Sequence, residues 1–168
     1  MGRVGEVYES TLTITMPALP FPNLSGENHT TTSPSTPDYN CIAWAAEEDD
    51  RWWWPVPAGA VYWPAGAAAV ETVDAFIFAF GTLGYTVSQS RDLEDGLQKV
   101  ALYVGANGLP THMARQLSDG TWTSKLGQSN DINHLTLEAI SGPAYGTVLV
   151  CLCRPQTRSL LVMGLVSP

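Results

Sequence analysis

Lys99-Val100-Ala101-Leu102-Tyr103-Val104, ended by Gly105-Ala106-Asn107-Gly108, is a short apolar run closed by turn residues, the mark of a central strand. Working outward, residues 111 to 117 read as a second strand. Ser118-Asp119-Gly120 makes a hairpin turn into a third over residues 121 to 126. Residues 131 to 140 are expected to be a loop with one helical turn, and residues 147 to 153 a last strand. Upstream the period changes. After Gly66, the positions Val70, Val73, Phe76, Ile77, Phe80 and Leu83 follow the spacing of a helix with one buried stripe, closed by Gly84. Helices first and an antiparallel sheet afterwards predict an α+β domain, N-terminal helices packed on a C-terminal sheet.

One domain is expected over residues 1–168, with a lead-in at 1–37, a core at 38–154 and a tail at 155–168. Within the lead-in, residues 6 to 19 contain an alternation of Leu12, Ile14 and Met16 that reads as an edge strand. Pro20, Pro22, Pro34 and Pro37 then impose a loop. Asp38 or Asn40 can cap a helix over residues 39 to 47, which the acidic run Glu47-Glu48-Asp49-Asp50 should terminate by opposing the negative end of the helix dipole; that run reads as a solvated face. Arg51-Trp52-Trp53-Trp54-Pro55-Val56-Pro57 and Tyr62-Trp63-Pro64 hold four of the six tryptophans in a proline-broken segment. Its rings either pack over the core as a lid or line a substrate wall, with Trp52, Trp53, Trp54 and Trp63 as the candidate binding residues. The tail is mildly apolar and fits either an added edge strand or loose chain.

Composition narrows the function. At 168 residues the chain is long enough to bury ~70% of its unfolded surface without disulfides or a structural metal. Sixteen acids against eight Lys and Arg leave a net charge of −8, which repels nucleic acid and anionic lipid, so neither is expected as a partner. No apolar run is long enough for a membrane span and residues 1 to 6 lack a signal-peptide core. Three cysteines, Cys41, Cys151 and Cys153, do not make a secreted disulfide framework. The expected compartment is the cytoplasm, with signal-less export as the alternative.

The chemistry-bearing motif is Asn40-Cys41-Ile42-Ala43-Trp44-Ala45-Ala46, answered 71 residues later by His112 in Thr111-His112-Met113-Ala114. A thiol in the first turn of a helix is expected to have its pKa lowered, and a strand-borne imidazole beside it is what a cysteine nucleophile needs. Each residue also has an inert reading, Cys41 as a small core hydrophobe and His112 as a satisfied structural histidine. His134 is an alternative base, and His29 falls in the exposed lead-in loop. Cys151 and Cys153 share one strand face and would need His112 or His134 to hold a metal, but zinc sites draw on Cys turns rather than strand interiors, so no metal and no cofactor is expected. Arg115 and Lys125 lie in adjacent hairpin strands, facing solvent, each other or a substrate carboxylate.

A helix carrying the nucleophile and a sheet carrying the base is an order of elements that resembles the papain-like thiol hydrolases, most closely the small NlpC-like amidases and peptidases. Tyr39 to Ala46 and Lys99 to Gly127 carry the resemblance. More tightly, the strings Tyr39-Asn40-Cys41-Ile42-Ala43-Trp44-Ala45, Thr111-His112-Met113-Ala114-Arg115-Gln116-Leu117 and Trp122-Thr123-Ser124-Lys125-Leu126-Gly127 look like an uncharacterised bacterial protein family. The resemblance implies a papain-like fold and hydrolysis of an amide bond in a peptide or peptidoglycan-like substrate, with Cys41 as nucleophile and His112 as base. The Cys41 N–H with Asn40 would hold the oxyanion. It also implies a polar residue orienting His112 from the next strand. Ser124 stands there, where Asn, Asp, Gln or His would be usual, and Asp131 is the substitute. The competing expectation is a non-catalytic domain that binds a peptide or glycan through the Trp-rich loop.

Overall fold

The computed structural model describes residues 20–57, 59 and 61–156. The edge strand expected over residues 6 to 19, and the tail from 157 onward, lie outside the described residues. In chain order the elements are β1 (His29–Thr31), α1 (Cys41–Ala45), α2 (Val73–Gly81), β2 (Thr86–Val87), β3 (Leu97–Val104), β4 (Pro110–Gln116), β5 (Trp122–Lys125), β6 (Asp131–His134), a 3-10 turn (Leu137–Ile140) and β7 (Thr147–Pro155). The seven strands form one antiparallel sheet in the order β1-β6-β5-β4-β3-β7-β2.

This overturns the expected papain-like α+β arrangement of helices packed on a sheet. The described residues are dominated by the sheet, and the two α-helices span only five and nine residues. The physical reasons are local. Glu47 adopts a left-handed φ of 67° immediately after the Ala46 cap, so α1 ends after little more than one turn. Thr72 caps α2 by accepting the Ala75 N–H, which starts that helix at Val73 and leaves Val70 half exposed. Asp131-Ile132-Asn133-His134, too polar to read as a strand, joins the sheet as β6. It pairs β5 on one side and β1 on the other, and β1 itself is cut from the proline-rich lead-in.

Both faces of the sheet are covered, so the central strands are buried throughout rather than alternating between core and solvent. In β3, Val100 and Leu102 point to one face with Met113 of β4. There they meet Ile42, Ala43 and Ala45 of α1, Phe76 and Phe80 of α2, and Trp53. Ala101 and Tyr103 point to the other face with Ala114, where Trp122, Ile132, Leu137 and Ile140 close the core. The register Tyr103↔His112 places His112 on this second face, and Ser124↔Ile132 and Trp122↔His134 place Ser124 and His134 there too.

Two lysines are fully buried. The Lys99 ammonium donates to the Ser90 and Asp92 carbonyls (2.9 and 2.6 Å) and pairs with Glu94; Lys125 donates to the Ser129 carbonyl and lies 4.9 Å over the Tyr39 ring. Each cation thus wraps a loop around itself in place of water.

On α2, Phe80 is fully buried and Phe78 is 55% exposed. Phe80→Ala is expected to lower the unfolding free energy by about 3–5 kcal/mol and Phe78→Ala to change it by less than about 0.5 kcal/mol, read from urea denaturation. Equal effects would contradict the packing described.

Candidate functional site

Asn40 ties the helix start to the tryptophan segment. Its Oδ1 accepts the N–H groups of Ala43 and Trp53, both at 3.2 Å, and its Nδ2 donates to the Trp53 carbonyl at 2.8 Å. Asn40, not Asp38, is therefore the cap, and Cys41 is the first residue of α1. One amide hydrogen of the proposed oxyanion donor is committed to this clamp. Next along the chain, Trp54 N–H donates to the Tyr62 carbonyl and Tyr62 N–H to the Trp52 carbonyl (3.0 and 2.9 Å), a strand-like bridge within a stretch that prolines keep from regular structure.

The four candidate tryptophans separate. Trp53 is buried against Phe80 and Tyr62, its indole N–H donating to Glu48 at 2.7 Å, and Trp63 packs edge-on to Phe76. Trp52 and Trp54 instead line an open groove of about 500 Å³, together with Val56, Val61, Tyr145, Thr111, Gly127, Asn40 and Cys41. Its wall is mostly apolar and includes Cys41.

α1 lies against β4 and β5, and the Cys41 sulfur is approached by three backbone N–H groups, those of Met113, Cys41 and Ile42. These favour a thiolate, but burial outweighs them and pushes the Cys41 thiol up to about 11. This corrects the expected depressed pKa: one turn of helix under a hydrocarbon cover does not compensate the loss of water. Met113 immediately follows His112, so the sulfur sits at the peptide next to the expected base.

His112 is fully buried, and burial holds its pKa well below the usual imidazole value, with His134 adding to the effect. Hydrogen-bond direction then fixes its tautomer. His134 Nδ1 lies 2.8 Å from the Thr136 carbonyl, which can only accept, so the proton of this imidazole is on Nδ1. His134 is also held neutral by burial, which leaves its Nε2 to accept the Ser124 hydroxyl at 2.9 Å. Ser124 Oγ in turn accepts from His112 Nε2 at 3.0 Å. The remaining nitrogen, His112 Nδ1, is a bare lone pair, buried and without a hydrogen-bond partner. An unpaired buried acceptor costs about 1–3 kcal/mol.

Tyr145 completes the site and was missed from sequence. Its ring stacks on His112 at 4.0 Å with the planes 16° apart, while the same residue lines the groove with Cys41. Thr111 Oγ1 donates to its carbonyl at 2.6 Å, and the Gly142–Gly146 bridge sets its loop. Gly146 admits no side chain: at φ 72° a Cβ would fall 1.9 Å from the Val104 carbonyl oxygen. A lone Tyr between Ala144 and Gly146 carries no motif, and only the flanking glycines hint at a constrained loop.

The other candidates stand apart from His112. Asp131 accepts the Tyr39 hydroxyl at 2.5 Å on the α1 face, so Ser124 and not Asp131 contacts the imidazole. Arg115 reaches the Trp44 carbonyl and Glu47, and Lys125 is buried as described; neither is a solvated charge. The acidic run likewise is not simply solvated, since Glu47 pairs with Arg154 at 2.6 Å and Glu48 with Arg51. His29 is a half-buried residue of β1 paired in register with His134. Cys151 and Cys153 point to one face of β7, and among the described residues no group of three or more His, Cys, Asp and Glu side chains could hold a metal ion. Among those residues, too, no helix is long and apolar enough to cross a membrane.

The family model Domain of unknown function (DUF7689) matches residues 30–153, and the chain belongs to that family. The match runs from β1 into β7 and so includes Cys41, His112, Ser124, His134 and Tyr145. No curated protein and no solved structure matches the chain.

Because His112 and His134 are held neutral in the fold but bind protons readily once unfolded, the stability they contribute is present above the usual imidazole pKa of 6.5 and is lost as pH falls below it. Urea denaturation between neutral pH and mild acid should show stability falling by at most about 1.4 kcal/mol per pH unit for each imidazole, with a shallower slope in His112→Gln. A pH-independent midpoint over that range would contradict neutral burial of the pair.

Proposed function

We propose that this DUF7689 domain is a thiol hydrolase in which Cys41 attacks an amide carbonyl and His112 is the general base. The observation that carries the reading is the bare, buried Nδ1 of His112, fixed by Ser124 one residue along β4 from the peptide whose N–H meets the Cys41 sulfur. A resting thiol with a pKa of about 11 beside a neutral imidazole is not a preformed thiolate–imidazolium pair. The proton therefore leaves sulfur during attack, as in general-base catalysis. The sulfur forms an acyl-enzyme, the amine departs with a proton, and water resolves the thioester. Attack by an amine would give acyl transfer instead.

The groove supports a substrate class. Trp52, Trp54, Val56, Val61 and Tyr145 favour an uncharged, apolar acyl side, as in a peptide or a peptidoglycan-like stem, over a charged one. No cofactor is needed for the chemistry. A nucleophilic free thiol suits a reducing compartment, and we place the protein in the cytoplasm, or exported without a signal. A second reading, a non-catalytic domain that binds peptide or glycan in the same groove, draws on the desolvated Cys41 thiol.

A nitrophenyl ester of a peptide ending in Phe or Leu separates the two. The hydrolase is expected to release a stoichiometric burst of nitrophenol and to carry the acyl group on Cys41 by intact mass. Cys41→Ala abolishes the burst, and His112→Ala slows it by about 10²–10⁴-fold. Peptide-induced quenching of tryptophan fluorescence with no Cys41-dependent burst would leave the binding domain.

A further inference from the structure

The thiol chemistry proposed above leaves one step unprovided for. Accepting the Cys41 proton would place a positive charge on His112, whose side chain has no contact with water. A buried unpaired cation is costly. We propose that His112, Ser124 and His134 form a proton wire that moves this charge along one face of the sheet, from β4 through β5 to His134 on β6, making Ser124 and His134 positioning residues for the Cys41 reaction.

The chain is continuous and directional. His112 Nε2 donates to Ser124 Oγ at 3.0 Å, Ser124 donates to His134 Nε2 at 2.9 Å, and His134 Nδ1 donates to the Thr136 carbonyl at 2.8 Å. When Cys41 attacks, its S–H bond breaks, the sulfur–carbon bond forms, and the proton binds His112 Nδ1. His112 then passes its Nε2 proton to Ser124 Oγ, and Ser124 passes its own hydroxyl proton to His134 Nε2. His112 ends neutral with its proton on Nδ1, Ser124 is regenerated, and His134 is the imidazolium. On collapse of the tetrahedral intermediate, His112 Nδ1–H protonates the departing amine and the two transfers along the wire reverse, so that His112, Ser124 and His134 return to their starting states while the Cys41 sulfur carries the acyl group.

His134 is the better end for the charge because of what surrounds it. It lines a pocket of about 260 Å³ beside β1, shared with Glu27, His29 and Asp119. The Thr136 carbonyl favours an imidazolium. His29, its register partner on β1, and His112 oppose one, and Trp122, its partner on β5, is uncharged. The Thr136 carbonyl accepts from Nδ1 in both charge states, so taking up the proton breaks no hydrogen bond. A histidine kept only for packing would not need both ring nitrogens in line with a second histidine.

Two measurements on the full chain test the wire. Nitrogen-15 NMR of the histidine side chains should find His112 in the Nε2–H tautomer and His134 in the Nδ1–H tautomer; His112 protonated on Nδ1 in the resting protein would overturn the proposal. Second, the nitrophenol burst is followed against pH in His134→Gln, whose amide oxygen still accepts from Ser124 but takes no proton. The wire requires the burst at neutral pH to slow by about tenfold or more and its acid inflection to change, with Ser124→Ala behaving alike and Ser124→Thr restoring the rate. A folded His134→Gln protein with the parent's rate and pH profile refutes the wire and leaves the hydrolase standing. An inert Cys41 in the parent protein removes the hydrolase reading, and the wire's role falls with it.

Discussion

The Thr136 carbonyl can only accept a hydrogen bond, and the state of the candidate base follows from that constraint. It places the proton of His134 on Nδ1, which turns the Ser124 hydroxyl toward His134, which in turn makes His112 donate from Nε2 and keeps its Nδ1 bare. No charged residue orients the imidazole. A carboxylate in the place of Ser124 would hold an imidazolium far more strongly, but on this face of the sheet it would itself be buried without a cation. A neutral chain of serine and histidine sets the same tautomer without an ion among Ala101, Tyr103 and Ala114.

The polar network and the α1 side of the groove lie on opposite faces of the sheet and meet at Tyr145. Successive residues of β4 send their side chains to opposite faces, His112 and Ala114 to one, Met113 and Arg115 to the other. The peptide between His112 and Met113 is therefore where the two faces meet, and α1 brings Cys41 to it with a sulfur whose charge the Met113 N–H favours. Tyr145 reaches the same place from the loop before β7, stacking on the imidazole and walling the groove with one ring. Its position depends on the close approach of Gly146 to the Val104 carbonyl, so a backbone contact between β3 and a distant loop shapes the site as much as any side chain.

Much of this was legible in the sequence where local chemistry decides. β3, β4, the turn at Ser118-Asp119-Gly120, β5, β7 and the body of α2 all fall within a few residues of their expected bounds, because apolar runs and turn residues are local signals. Twelve residues separate His112 from Ser124, and the β4–β5 hairpin brings them into hydrogen-bond contact. The failures are non-local. β6 read as a loop because Asp131, Asn133 and His134 are polar, and the burial of Asp131 and His134 is possible only through Tyr39, β1 and Ser124, which lie far off in the chain. The lead-in read as featureless because β1 is three residues long and exists only as an edge to β6. Counting helices from the sequence therefore overweighted them against the sheet, and the papain-like arrangement followed from that error.

The same non-locality explains why the Cys41 motif misled on ionisation. A cysteine at the start of a helix argues for a low pKa only if the helix is long enough and the sulfur open enough for the field of its N–H groups to compete with lost hydration. α1 has five residues, and its flank is sealed by Trp53 and the aromatic cluster on Phe76 and Phe80, which the sequence presents as a separate, proline-broken segment. Asn40 joins the two: one of its three hydrogen bonds caps the helix and the other two seat the tryptophan loop beside it. The clamp that helps form the apolar groove therefore also helps desolvate the Cys41 thiol that lines it. A site built this way depends for reactivity on the base, because the sulfur is not ionised in advance.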